Sequence, residues 1–207
     1  MILSNVEIHK ALDAGDIVID PEPSPRFASL DSPMTPYDTT AVNLRLSPFL
    51  SVCKAASPMT FDLRKPGLIS LLDKVYEPYE MNEGGHSLQP GKFVLGSTVE
   101  VVHLPIRKGR PAYAARVEGR SSFARCGLLI HFTAPTIHAG FEGTITFEIM
   151  NFGLHDISLY PDLAVGQLIF EQVEGLPRPN ASQYQGQRKP TGARPKSEPE
   201  RRPVRRR

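Results

Sequence analysis

Two stretches of this chain place chemically useful side chains at unusual spacing. In "GRSSFARCG", Arg120 and Arg125 flank the hydroxyls of Ser121 and Ser122 within six residues. A guanidinium is a planar fork that matches phosphate oxygens. Two of them, with hydroxyls and nearby backbone N–H groups, can together bind a triphosphate. The same composition also suits a basic surface turn, and the block lacks the G-x-x-x-x-G-K spacing of a Walker-type loop. The second stretch is "TITFEIMNF", which holds Glu148. Period-two alternation sends Ile145, Phe147 and Ile149 one way, and Thr144, Thr146, Glu148 and Met150 the other. A carboxylate in such a strand lies either on a solvated face or in a polar site. In a polar site, partial removal from water raises its proton affinity, so it can accept a proton from water at neutral pH.

The elements that must position these groups are mostly strands. From Lys92 onward, "KFVLGSTVEVVHL", "AARVEG", "GLLIHFT", "GTITFEIMNF", "ISLY" and "QLIFEQV" are short runs separated by Gly, Pro, Asp or Asn. That spacing predicts a sandwich or jelly-roll barrel. Ahead of them, Ser4 to Gly15 reads as a short helix. Ser4 and Glu7 have capping-box spacing, Ile8, Ala11 and Leu12 share a face, and Gly15 is a natural stop. Residues 21–40 hold five prolines and predict a loop. "TAVNLRLSPFLSV" alternates Val42, Leu44 and Leu46 like a strand. "GLISLLDKVY" suits a short helix or a buried strand, with helix preferred. A helix after the serine–arginine block must be short, because Gly127 closes it. Beyond Gly175 the chain becomes polar and irregular.

The whole chain bounds these readings. Its 207 residues, 40% hydrophobic and 22% charged, suit one globular domain with some tail. No apolar run approaches the roughly 18 residues of a spanning helix, and no secretory leader is legible. Cys53 and Cys126 make no disulfide framework and no C-x-x-C pair, so both read as reduced thiols of a cytoplasmic protein. The net charge of +2 hides an asymmetry: residues 188–207 carry nine Lys/Arg and two Glu, or +7, which leaves −5 for the rest. The body therefore gives no sign of a nucleic-acid surface, and the apolar-poor tail is expected to be disordered.

"VEGRSSFARCGLLIHFTA", "GFEGTITFEIMNFG", "GQLIF" and "SQYQGQRKPTGAR" together resemble the dCTP deaminase branch of the dCTP deaminase/dUTPase superfamily. Weaker similarity reaches the N-terminal helix, "AVNLRL" and "LQPGKFVLGSTVEVVHLP". The resemblance covers most of residues 1–195, with a less familiar loop at 21–40. It implies a mainly β, distorted barrel, jelly-roll-like and dUTPase-type, with a short N-terminal helix, assembled as a homotrimer with sites between subunits. It divides the chain into a β domain at 1–180, a lid over the nucleotide at 181–195 and the basic tail at 196–207.

The resemblance also implies residue roles. Arg120, Ser121, Ser122, Phe123, Ala124 and Arg125 would form the phosphate-binding segment, with Ser121 and Arg125 also supporting the catalytic centre. Glu148 matches the catalytic glutamate that activates water for attack at C4 of cytosine. Groups around Phe132, Thr133 and Ala134 and around Thr146 and Phe147 would read base and sugar. Gln167 and Gln187 match further nucleotide contacts. Mg²⁺ would accompany the triphosphate of dCTP, and dTTP is a feedback inhibitor in many such proteins. Zinc deaminases instead carry H-x-E with P-C-x-x-C. Here six histidines and two cysteines are scattered without metal-ligand spacing. A metal-free route needs a positioned carboxylate and fixed hydrogen bonds around the tetrahedral intermediate.

Some positions depart from that pattern. His138 in "TIHAG" replaces an aspartate that activates water in relatives that cleave dUTP. An imidazole can hydrogen-bond a sugar hydroxyl but is a poor substitute for a carboxylate base; the histidine also suits a loop without special role. Gln183 replaces a lysine before "YQGQ", no upstream lid tyrosine can be placed, and Asn43 stands where an aspartate is usual. Arg178, Arg188 and Lys189 could offset the lost charge. Strong dUTP hydrolysis is therefore not expected. The alternatives are a bifunctional enzyme that proceeds to dUMP and an impaired member that binds nucleotide as a regulator.

Overall fold

A computed structural model describes residues 1–54, 60–64, 66–180 and 182–192. The tail at 196–207 lies outside the described residues. Helix α1 (Asn5–Asp13) is capped by Ser4, whose Oγ accepts from the Glu7 N–H at 3.4 Å. The capping box is only half formed, because the Glu7 carboxylate takes Lys10 Nζ at 2.7 Å. Ile8 and Ala11 of this helix are buried, as their spacing predicts.

Strand β1 (Val18–Asp20) leads into the proline-rich loop, and β2 (Val42–Arg45) follows it. The loop is tied back to the body by polar groups. Arg26 bridges Asp13 and Glu22, and Tyr37 is 2% exposed. His9 packs edge-on against Phe27 and Tyr37, with ring centroids 4.9 and 4.5 Å away. Asn43 Nδ2 donates to Pro36 O at 3.1 Å and to Asp38 Oδ2 at 3.2 Å. An aspartate at 43 would instead face a second carboxylate, which explains the amide at this position.

Strand β3 (Phe49–Cys53), helix α2 (Leu68–Val75) and strand β4 (Tyr76–Glu80) come next, so "GLISLLDKVY" is largely helical. Then follow β5 (His86–Leu88), β6 (Phe93–His103), β7 (Ala112–Gly119) and α3 (Ser121–Ala124). The chain continues through β8 (Leu128–Leu129), β9 (Thr136–Ile137), β10 (Glu142–Asn151), β11 (Ile157–Leu159) and β12 (Ala164–Val173). One sheet runs β4-β3-β6-β10-β8 with β1 added on β6, a second runs β2-β12-β7-β9, and β11 pairs with β5. The ladders are antiparallel. Among the described residues no helix is long and apolar enough to cross a membrane.

The core lies between the two larger sheets. Ile145, Phe147 and Ile149 of β10 and Leu168 and Phe170 of β12 belong to one buried cluster, all at most 2% exposed. Each such side chain contributes about 1.5–3 kcal/mol on burial. The alternation read from the sequence thus holds, and it fixes the opposite face of β10 for Thr146, Glu148 and Met150, all half-buried. "GLLIHFT" gives only the two-residue β8, because beyond Leu129 the chain leaves the ladder to pass beside Glu148.

Candidate active site

Glu148 sits two residues beyond a β-bulge between Thr144 and Thr146, where the register of β10 on β6 shifts. Its backbone N–H donates to Ile130 O at 2.9 Å. Its side-chain Oε2 accepts from the Phe132 N–H at 3.1 Å. The 130–132 segment therefore grips the glutamate from both backbone and side chain. Glu148 lines a cavity of about 820 Å³ with Ala134, His138, Thr146, Gln183 and Gln187. All six are positions singled out in the sequence.

The far wall of this cavity is residues 182–192, which fold back on the same chain. Gly186 N–H donates to Glu142 O at 2.7 Å, and Thr144 N–H to Gln187 O at 3.1 Å. Gln187 is buried, and its Nε2 donates to Thr144 O at 2.7 Å. Its amide nitrogen is thus committed to β10. A Cβ at Gly143 would stand 3.1 Å from Gln187 O, so glycine permits this approach. Thr146 Oγ1 donates to Pro190 O at 3.2 Å. Gln185 Nε2 reaches Gly140 O at 3.2 Å, and Gln183 is exposed at the rim.

The serine–arginine turn is elsewhere on the chain. α3 is a single turn after Arg120, closed by Gly127 at φ +89°, as expected. Ser121, Ser122 and Arg125 are exposed. Phe123, Ala124 and Arg125 line a separate cavity of about 740 Å³ with Gly153 and His155. Arg120 is partly engaged: Nη1 donates to Ala164 O at 3.1 Å, and the guanidinium lies 5.6 Å from the Phe123 ring centroid. Gln167 belongs to this side, with Nε2 donating to Gly119 O at 3.4 Å. Phe93 packs against Phe132 with ring centroids 5.7 Å apart and Phe132 against Phe152 at 6.5 Å, and Phe152 also lines the second cavity. Thr133 is exposed beside Phe132, and the Phe147 side chain lies in the core.

A single chain thus unites Glu148 with Ala134, His138, Thr146 and the C-terminal strap, but not with Ser121 and Arg125. Arg178 lines the Glu148 cavity, whereas Arg188 Nη1 donates to Gln187 O at 3.1 Å. Residues not singled out also appear there, notably His131, Tyr184 and Leu72. His131 Nε2 is 3.6 Å from Glu118 Oε2. A histidine interrupting the apolar run "GLLIHF" is the signal that could have flagged it. Among the described residues no three His, Cys, Asp or Glu side chains group so as to hold a metal.

In this mainly β body, strand β10 presents a half-buried glutamate to a cavity walled by a C-terminal strap. Residues 2–173 match the dCTP deaminase-like family, and the chain belongs to that family. It is 34% identical to a "dCTP deaminase" of Natronomonas pharaonis over 94% of either chain. It is 37% identical to a "dCTP deaminase, dUMP-forming" of Corynebacterium kroppenstedtii, over 94% of this chain and 97% of that one. Among solved structures it is similar in fold to 2′-deoxycytidine 5′-triphosphate deaminase from Agrobacterium tumefaciens, with TM-score 0.56 and 16% identity. That match covers 82% of this chain and 47% of the other, so this chain spans about half its length.

Proposed function

We propose that this protein hydrolyses the 4-amino group of dCTP, giving dUTP and ammonia, with Glu148 as the proton carrier. The observation that carries the reading is the fixed carboxylate: Oε2 is held by the Phe132 N–H at a cavity wall, in a chain of the dCTP deaminase-like family. Water gives a proton to Glu148 as its oxygen bonds to C4. Glu148 passes that proton to N3, which takes up the electron pair of the C4–N3 double bond. The carboxylate then moves the proton of the new C4 hydroxyl to the amine, which leaves as ammonia while C4=O forms. No step requires zinc. A carboxylate held ready and backbone donors around it supply the electrostatic support.

The remaining parts complete the proposal. The serine–arginine turn binds phosphates from a neighbouring subunit of a homotrimer, which accounts for its separation from Glu148 within one chain. Mg²⁺ enters on the triphosphate, dTTP competes as a feedback ligand, and the enzyme works in the cytoplasm. The strap, residues 182–192, covers the nucleotide.

A second reading is favoured by the dUMP-forming relative at 37% identity. His138, which lines the cavity where a carboxylate would activate a second water, weighs against it. The deciding experiment incubates the purified protein with dCTP and Mg²⁺ and measures ammonia and nucleotides. Ammonia with dUTP supports the deaminase; dUMP with pyrophosphate establishes the bifunctional enzyme. Absence of turnover with nucleotide-raised thermal stability would replace both with a binding protein.

A further inference from the structure

Helix α2 has no fully buried residue, yet it forms part of the cavity wall. Its C-terminal end is pinned to the residue after β3: Lys54 N–H donates to Val75 O at 2.9 Å and Lys54 Nζ to Lys74 O at 2.9 Å. From this platform Leu72 lines the Glu148 cavity beside Pro190 and Thr191. The next residue, Asp73, accepts a hydrogen bond from Thr191 Oγ1 at 2.5 Å. Thr191 itself is only 5% exposed.

The strap is thus held at two kinds of point. Near its start, residues 185–187 bond to Gly140 and to β10, the strand that carries Glu148. Near its end, the anchor is a carboxylate on a peripheral helix, 118 residues away in sequence. A hydroxyl-to-carboxylate bond is charge-assisted and stronger than a neutral one. Where only a closed strap binds nucleotide tightly, apparent affinity scales with the closed fraction.

We propose that Asp73 is a positioning residue: through Thr191 it latches residues 182–192 against α2 and so sets the affinity for the nucleotide, not the rate of the chemical step. This rests on the cavity being the dCTP site. The latch acts on KM because saturating nucleotide itself closes the strap.

The test compares wild type, Asp73→Ala, Asp73→Asn and Thr191→Val by steady-state kinetics with dCTP and by amide hydrogen exchange of residues 182–192 without nucleotide. Asp73→Ala and Thr191→Val are each expected to raise KM about tenfold, with kcat within about twofold, and to speed exchange at Gly186, Gln187 and Gly192. Asp73→Asn keeps an accepting oxygen but loses the charge, and is expected to recover part of both effects. Unchanged exchange and KM in Asp73→Ala would overturn the latch, as would a fall in kcat at unchanged KM. Faster exchange in Asp73→Ala together with a wild type that does not turn over dCTP would sink the deaminase reading and leave the latch standing.

Discussion

The backbone N–H of Phe132 donates to the carboxylate of Glu148 at 3.1 Å, and the same stretch of chain accepts the Glu148 N–H through Ile130 O at 2.9 Å. Strand β10 and the segment after β8 therefore define one carboxylate orientation. Replacing Glu148 with Gln keeps size and the oxygen that Phe132 contacts but removes proton transfer. Glu148→Gln is expected to lower kcat by at least about 10³-fold while dCTP still raises its melting temperature. Retained ammonia release in this variant would reassign the proton carrier.

Glu148 and Arg125 line different cavities of one chain. If the site forms between subunits, two dead variants can complement each other. Glu148→Gln and Arg125→Ala, each inactive alone, are expected to regain activity after unfolding together and refolding as a mixture. Mixed assemblies that stay inactive, while separately refolded wild type recovers, would place the two residues in separate functions.

Glu100 is fully buried and binds Arg45 twice, taking Nε at 2.7 Å and the backbone N–H at 3.0 Å. Removing the guanidinium strands a buried charge. Arg45→Ala is expected to cost about 3–5 kcal/mol in urea unfolding. A loss below about 1 kcal/mol would mean that water reaches Glu100.

Asn43 donates to Pro36 O and Asp38 Oδ2. Asn43→Asp loses both bonds and sets two carboxylates together. A destabilisation of about 2 kcal/mol in urea unfolding is expected. Adding Asp38→Asn is expected to recover part of the loss by restoring an amide donor to the pair, and no recovery would remove Asp38 from the explanation.

The 21–40 loop predicts the behaviour in acid. Burial holds His9 below its ordinary value, and the Arg26 hydrogen bond holds Glu22 below the usual carboxylate range. The unfolded chain therefore binds more protons at both sites. His9 contributes fully above about pH 6.5, Glu22 above about pH 4.5, and each contribution fades as pH falls through the lowered folded value. The melting temperature is expected to drop between pH 7 and 4, and His9→Phe, which keeps the edge-on ring packing, to flatten the upper part of that fall. A variant with an unchanged profile would free His9 of this role.

Much of this was legible beforehand because it rests on local periodicity and termination. Alternation in β10 placed Phe147 inward and Glu148 on the other face, Ser4 marked the start of α1, and Gly127 kept α3 to one turn. What was not legible depends on distant partners. Nothing in "GRSSFARCG" says that Arg120 also binds Ala164 O, or that Glu7 prefers Lys10 to its cap. The resemblance named a lid, but not that Gln187 would bury its amide against Thr144, nor that Asp73 would meet Thr191.

The free edge of β10 is shared by three tenants. Leu128 and Leu129 occupy its far end at Asn151 and Met150, Ile130 takes the amide of Glu148, and Gly186 and Gln187 take the near end at Glu142 and Thr144. Glu148 therefore stands between a sheet segment on one side and the C-terminal strap on the other. If the strap undocks, as the latch proposal requires, raw strand edge is exposed at Thr144, four residues from Glu148. An open enzyme is thus also a sticky one, and substrate should protect it from aggregation as well as from heat.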